Sequence, residues 1–191
     1  VMNKQKKIDE DTFKKLVKPH ILRGRPGDWR HSKRVVFWVK KLGKDREDLS
    51  LLIKAAYLHD IGWRDVLPNK NKITKKELFS NEKHANANTK PYITNFLKDS
   101  NHSIKEINTI VRIINAVDTY KSNKVDEKIV VDSDNLSKLC IEHLEEKYQK
   151  SDWDEIIKLW DNTMQHRIKT KLGKEIFPDL LKILKEDIQL T

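Results

Sequence analysis

"AAYLHDIGW", residues 55–63, is the stretch on which the fold turns. It closes the run "LSLLIKAAYL" (49–58), which is apolar on nearly every side. Such a segment reads as a central helix wrapped by others, here over about 47–60. Gly62 is a natural helix stop. His59 and Asp60 therefore stand side by side at a helix end. Neighbours within a helix diverge by roughly 100°, so these two can share one ligand only where the helix frays or stops. An imidazole buried beside an ionised carboxylate is unfavourable unless something pairs with both.

Helical periodicity continues on both sides. Residues 9–22 place Phe13, Leu16 and Val17 on one side, and "LRGRPGD" (22–28) then interrupts the chain with Gly and Pro. Asp28 reads as an N-cap, after which His31, Val35, Trp38 and Leu42 recur at helical spacing. His31 thus lies in a first turn, on the stripe that also carries core residues. Downstream, "WRDVLPNKNKIT" (63–74) reads as a loop and about 76–98 as a helix with Pro91 as a candidate kink. "SIKEINTIVRIINAVDTY" (103–120) gathers Ile107, Ile110, Val111, Ile114 and Val117 on one face. "EKIVVDSDNLSKLCIEHLEEKY" (127–148) starts apolar and reads as one further amphipathic helix. "DWDEIIKLWDNTMQHRIKT" (152–170) and "GKEIFPDLLKILKEDIQL" (173–190) supply the last helices, with Pro178 inside the second. Five Gly and five Pro are too few for a β-rich fold with many tight turns. The expectation is an all-α, single-domain bundle over 1–191, with a core of motifs at about 28–139 and closing helices at 140–191.

The formal net charge is +10, and 36% of the residues are charged against 37% apolar. Such a charge attracts phosphate-bearing ligands. The lysines are scattered, however, as in "KNKITKKE" and "YKSNKVDEK", not gathered into an arginine-rich stripe. Most of them read as a solvated surface, and a nucleic-acid partner is not expected. With the single Cys140 no internal disulfide can form, so a reducing, cytoplasmic setting is expected. "VMNKQKKIDEDTF" at the N-terminus has no apolar run of signal-peptide length, and no apolar run anywhere is long enough to span a membrane.

His31, His59, Asp60 and the pair Asp132 and Asp134 in "VVDSDNL" form a candidate metal set. Two imidazoles and two carboxylates make a mixed N/O shell that suits Mn, Fe, Co, Ni or Zn. Each piece has an ordinary reading as well. The dipeptide His-Asp is common by chance, and "DSD" has the look of a helix N-cap. His20, His102, His143 and His166 follow no ligand spacing and are expected at the surface. The five tryptophans read as core, Trp63 being a candidate cleft wall, and Cys140 reads as an inert buried thiol.

From "GDWRHSKRVVFWVKKL" through "AAYLHDIGW" to "IVVDSDNLSKL", about residues 28–139, the chain resembles the HD superfamily of metal-dependent phosphohydrolases. That family's signature is H…HD…D on a bundle of helices. The tail "KTKLGKEIFPDLLKILKE" resembles the closing helices of small bacterial members. The resemblance implies His31, His59, Asp60 and Asp134 as ligands of one divalent ion (Mn, Fe, Co, Ni, Zn or Mg), with Asp132 as a structural neighbour. It implies hydrolysis of a phosphate ester or anhydride in a nucleotide or related small phosphorylated substrate. Asp60 would orient the attacking water with the metal. Arg34 and Arg64 would reach the substrate phosphate, and Trp63 would line the cleft. Asp65, Glu82, His84 and Asp118 form the pool for acid–base work or for supporting the ligands, Glu82 and Asp118 lining the substrate.

The chain also departs from the family. Small members often carry a histidine near Val117 or Asp118, and none stands there. The basic residue that often follows the ligand aspartate is Asn135. Trp63 and Arg64 replace the acidic pair of the guanosine tetraphosphate hydrolases, and no His-rich, Gly-Tyr-Pro signature of the cyclic-dinucleotide branch follows "HDIG". A catalytically weak domain that binds a ligand or polyanion therefore stands as the alternative.

Overall fold

The computed structural model describes residues 9–68 and 70–190. The signal-peptide expectation rests largely on residues 1–8 and so lies outside the described residues. α1 (Glu10–Ile21) starts at Asp9, whose side chain accepts the Thr12 N–H. α2 (Asp28–Leu42) starts after Gly27, not at an Asp28 cap. Gly27 holds the left-handed φ of 76°, and the Asp28 carboxylate points back into the interior. α3 (Leu49–Leu58) is the expected central helix, with Leu52–Leu58 all buried. A single 3-10 turn, Ile61–Trp63, follows it.

α4 (Lys75–Asp99) and α5 (Ile104–Thr119) each open on a capping box, Thr74 with Glu77 and Ser103 with Glu106. α4 runs on through Pro91. The helix expected over 127–148 is in fact two, α6 (Val125–Ser137) and α7 (Ile141–Lys147). The break is local. The N–H groups of Lys138 and Leu139 tighten onto carbonyls three residues back, and Cys140 is extended. This reversal aims α7 back at α2. α8 (Trp153–Arg167) and α9 (Lys171–Gln189) complete the chain. The described residues form no strand, only one isolated bridge between Ile73 and Tyr148. The fold is all-α.

Two apolar clusters fill the interior. One joins α1 to α6 around Phe13, Leu52, Ala55, Leu58 and Ile110. The other joins the end of α6 to α7, α8 and α9 around Leu136, Leu144, Ile157 and Leu184. α2 packs on both α3 and α6, so the three helices that carry the His and Asp motifs are direct neighbours. Trp63, Trp153 and Trp160 are buried, while Trp29 and Trp38 are half-buried. Cys140 is half-buried. Of the histidines expected at the surface, His166 is exposed and His20 and His102 are half-buried. His143 is buried, because the α6–α7 reversal turns it inward against His31. No helix among the described residues is long and apolar enough to cross a membrane.

Candidate metal centre and cleft

α3 stops at Leu58, and His59 occupies its C-cap. Asp60, at φ −97° and ψ 8°, has left the helix. The break swings the two side chains together, and their nearest atoms, His59 Nε2 and Asp60 Oδ2, are 3.3 Å apart. His31 comes from the first turn of α2 and Asp134 from the third turn of α6. His31 Nε2 lies 3.1 Å from His59 Nε2, 3.1 Å from Asp134 Oδ1 and 3.8 Å from Asp60 Oδ2. His59 Nε2 lies 3.5 Å from Asp134 Oδ1.

The surrounding hydrogen bonds set which atoms face inward. The His59 Nδ1–H donates to the Ala56 carbonyl at 2.7 Å. The Ser137 hydroxyl donates to the Asp134 carbonyl, so it accepts from His31 Nδ1, 3.2 Å away. Both rings thus turn an Nε2 lone pair inward. Each carboxylate commits its other oxygen to a cation. Asp60 Oδ1 meets Arg25 at 2.6 Å, and Asp134 Oδ2 meets Lys138 at 2.6 Å. Asp60 Oδ2 is buried with no hydrogen-bond partner. His31, His59 and Asp60 offer ligand atoms within 4.8 Å of one another, a group that could hold a metal ion. Asp134 Oδ1 stands beside that group, next to both imidazoles, and ligands about 2.1 Å from one ion lie about 3 Å apart when adjacent.

Without the ion, a proton takes part of that place. Burial disfavours charge on His59, but Asp60 and Asp134 outweigh it and raise its pKa to about 9. Burial carries His31 well below its ordinary range, although the Asp134 carboxylate beside it works the other way. Burial also opposes the ionised forms of Asp60 and Asp134. Arg25 and His59 outweigh that at Asp60, and Lys138 and His31 at Asp134, so both stay well below the usual carboxylate range.

The four groups line a cleft of about 170 Å3. Arg25, Lys138, Lys147 and Arg167 are its cations, and Trp63, Tyr120, Tyr148 and Trp160 its main aromatic walls. Arg25 lies over the Trp63 ring, 4.1 Å from its centre. Asp28 is buried beneath, taking the Arg25 backbone N–H at 2.8 Å and Lys147 Nζ at 2.5 Å. Burial, then the charge of Arg25, push the Lys147 pKa down. In the same cleft, burial and the charge of Asp60 push the Asp118 carboxyl up to about 7.

The residues singled out in the sequence divide by place. His31, His59, Asp60, Trp63, Glu82, Asp118 and Asp134 line the cleft. Arg34 does not, because Glu146 holds it at 2.9 Å and it leans on His143. Arg64 is turned away too, bonded to His20 at 2.8 Å and stacked on Tyr92. Asp65, at a left-handed φ of 64°, pairs with Arg23 at 2.9 Å on the outer surface. His84 is exposed on α4. Asp132 is mid-helix rather than an N-cap of its own helix, and it holds the chain just before α9 by accepting the Lys169 and Thr170 N–H groups, while Thr170 itself caps α9. Arg25, Tyr120, Lys138, His143, Lys147 and Arg167 were not singled out for the cleft. Lys138 carried a signal, one helical turn beyond Asp134. The others depend on the α6–α7 reversal or on long-range packing.

A family model described as HD domain matches residues 28–166, which contain all four of these ligand candidates. The chain belongs to the HD domain family, a superfamily of metal-dependent hydrolases. It is similar to a crystal structure described as a predicted HD superfamily hydrolase from an uncultured Thermotogales bacterium. The two are 17% identical with a TM-score of 0.59, over 94% of this chain and 89% of that one. At that identity the likeness bears on the fold. No curated protein matches the chain.

Proposed function

We propose that the protein is a metal-dependent phosphohydrolase that cleaves phosphate ester or anhydride bonds of a nucleotide or related small phosphorylated substrate. The observation that carries this reading is the convergence of His31 Nε2, His59 Nε2, Asp60 Oδ2 and Asp134 Oδ1, with Asp60 Oδ2 buried and unpartnered. These four atoms would hold one divalent ion. When bound, that ion supplies Lewis acidity, which polarises a phosphoryl oxygen and lowers the pKa of a water.

The remaining groups prepare the site. Arg25 and Lys138 fix the carboxylates so that one oxygen of each faces inward. Lys147 Nζ, 4.0 Å from Asp60 Oδ2, places a further positive charge on the cleft wall, where a phosphoryl group gathers negative charge. Trp63 and Trp160 exclude bulk water from one side. Asp118 lines the same cleft, where burial raises its pKa, so it could pass a proton to an oxygen that leaves phosphorus. Water oxygen bonds to phosphorus, the bond to the leaving oxygen breaks, that oxygen takes up a proton, and the proton the water sheds replaces it, so the step is a net hydrolysis.

Elemental analysis of wild type and Asp60→Ala tests the site, followed by phosphate release from nucleoside mono-, di- and triphosphates with Mn, Co, Ni or Mg added. About one ion per chain, lost in the variant together with phosphate release, is expected. An ion retained in Asp60→Ala, or no phosphate released under any addition, overturns the reading.

A further inference from the structure

Arg167 stands apart from the other cations of the cleft. Arg25, Lys138 and Lys147 are each held by a buried carboxylate. Among the described residues Arg167 has no carboxylate at ion-pair distance. Its guanidinium carbon lies over the Tyr120 ring, 3.6 Å from the centre. Tyr120 is a non-glycine residue in the left-handed region, φ 54° and ψ 24°, at the C-cap of α5. That conformation is unfavourable for a side chain with a Cβ, and its effect here is to set the ring into the cleft. Lys138 Nζ approaches the same ring at 5.7 Å while it holds the ligand Asp134. A relay of contacts therefore leads from the metal ligands through Lys138 and Tyr120 to Arg167. Arg167 lines the cleft with its N–H donors uncommitted to any carboxylate of the described residues, and a guanidinium suits a planar or tetrahedral anion.

We propose that Arg167, propped by Tyr120, is a specificity-determining residue that binds a second anionic group of the substrate, separate from the phosphoryl group held at the metal centre. The substrate is then a phosphate compound that carries a further phosphate or carboxylate. This inference rests on the phosphohydrolase reading above. The paired cations are committed to Asp28, Asp60 and Asp134, so they serve the metal centre. The unpaired one, a tyrosine ring beyond Lys138, is placed for a more distant charge.

Calorimetric titration tests this without turnover, on Mn-loaded and metal-free protein. The probes are methylphosphonate and bisphosphonates joined by one to four methylene carbons, on wild type, Arg167→Gln, Arg167→Lys and Tyr120→Asn. Asn tolerates the left-handed turn and removes the ring. At least one bisphosphonate is expected to bind Mn-loaded wild type about tenfold or more tighter than methylphosphonate, the scale of one charge-assisted contact. Arg167→Gln should erase that gain and leave methylphosphonate affinity unchanged. Arg167→Lys should keep part of it, and Tyr120→Asn should reduce it. If no bisphosphonate gains, or if Arg167→Gln weakens both probe classes equally, the inference is wrong. The latter result would assign Arg167 to the first phosphate. If Mn-loaded wild type binds neither probe class, the phosphohydrolase reading itself fails.

Discussion

Replacing Asp118 by Asn should stabilise the metal-free protein at pH 8 and leave it unchanged near pH 4. The Asp118 carboxyl is displaced from an ordinary pKa of 3.8 to about 7, by burial first and by the neighbouring charge of Asp60 second. A raised pKa means that the folded state holds its proton while the unfolded chain gives it up. Stability is therefore complete below about pH 4, falls as pH rises towards 7, and is level above that. At 1.36 kcal/mol per pH unit, a pKa moved from 3.8 to about 7 corresponds to an upper bound of about 4 kcal/mol. Asn has nearly the same shape, never ionises, and can still bond to the Thr89 hydroxyl. The variant should thus gain about 2–4 kcal/mol at pH 8, or on the order of 10 °C in melting temperature. Urea unfolding in the presence of a chelator, at half-unit steps from pH 4 to 8.5, reads this directly. A bound cation should narrow the gap, because it offsets the charges of Asp60 and Asp134 that help to raise Asp118. Wild-type and variant stabilities that run parallel across the whole range would refute the reasoning.

Metal addition at a free concentration about 100 times its Kd should stabilise wild type by about 2.7 kcal/mol, roughly 5–10 °C in a thermal scan, and should leave Asp134→Asn unmoved. Since the ion displaces a proton from His59, whose pKa is about 9, metal affinity measured by titration should fall about tenfold per pH unit from pH 8.5 to 6.5. Asp28→Asn leaves Arg25 and Lys147 buried with half their counter-charge, so urea unfolding should show a loss of about 3–5 kcal/mol; a loss below 1 would contradict the network. Gly62→Ala puts a methyl group 2.3 Å from the Ala85 carbonyl and 2.4 Å from Thr89 Oγ1. It should lower the melting temperature through about 1–3 kcal/mol of overpacking.

The sequence made the all-α class legible because periodicity and capping are local. The apolar density of 49–58 marked α3, and the shared face of Ile107, Ile110, Val111, Ile114 and Val117 marked α5. The grouping of His31, His59, Asp60 and Asp134 was legible through the order of the motifs, each on its own helix. The α6–α7 break was not, since "NLSKLCIEHL" has no Gly or Pro and the reversal rests on backbone bonds at Lys138 and Leu139. With that break missed, His143 and Lys147 could not be placed in the cleft. Arg34 and Arg64 looked free because their captors, Glu146 and His20, lie far away in sequence or on another helix. A surface cation and a captured one look alike in a one-dimensional string.

Asp132 sits two residues before the candidate ligand Asp134 on α6, and its carboxylate is spent on the backbone N–H groups that lead into the terminal helix, Lys169 at 3.0 Å and Thr170 at 2.6 Å. Gly173 of α9 passes so close that an added Cβ would stand 2.9 Å from the same oxygen. One short peptide thus has its ends in two jobs, with a ligand on one face and a clamp on the other. The C-terminal helix is therefore no detachable appendix. Cutting it away would leave a charged oxygen stranded inside the bundle, two residues from Asp134, and a shortened chain should show the injury first as slack in the candidate ligand set.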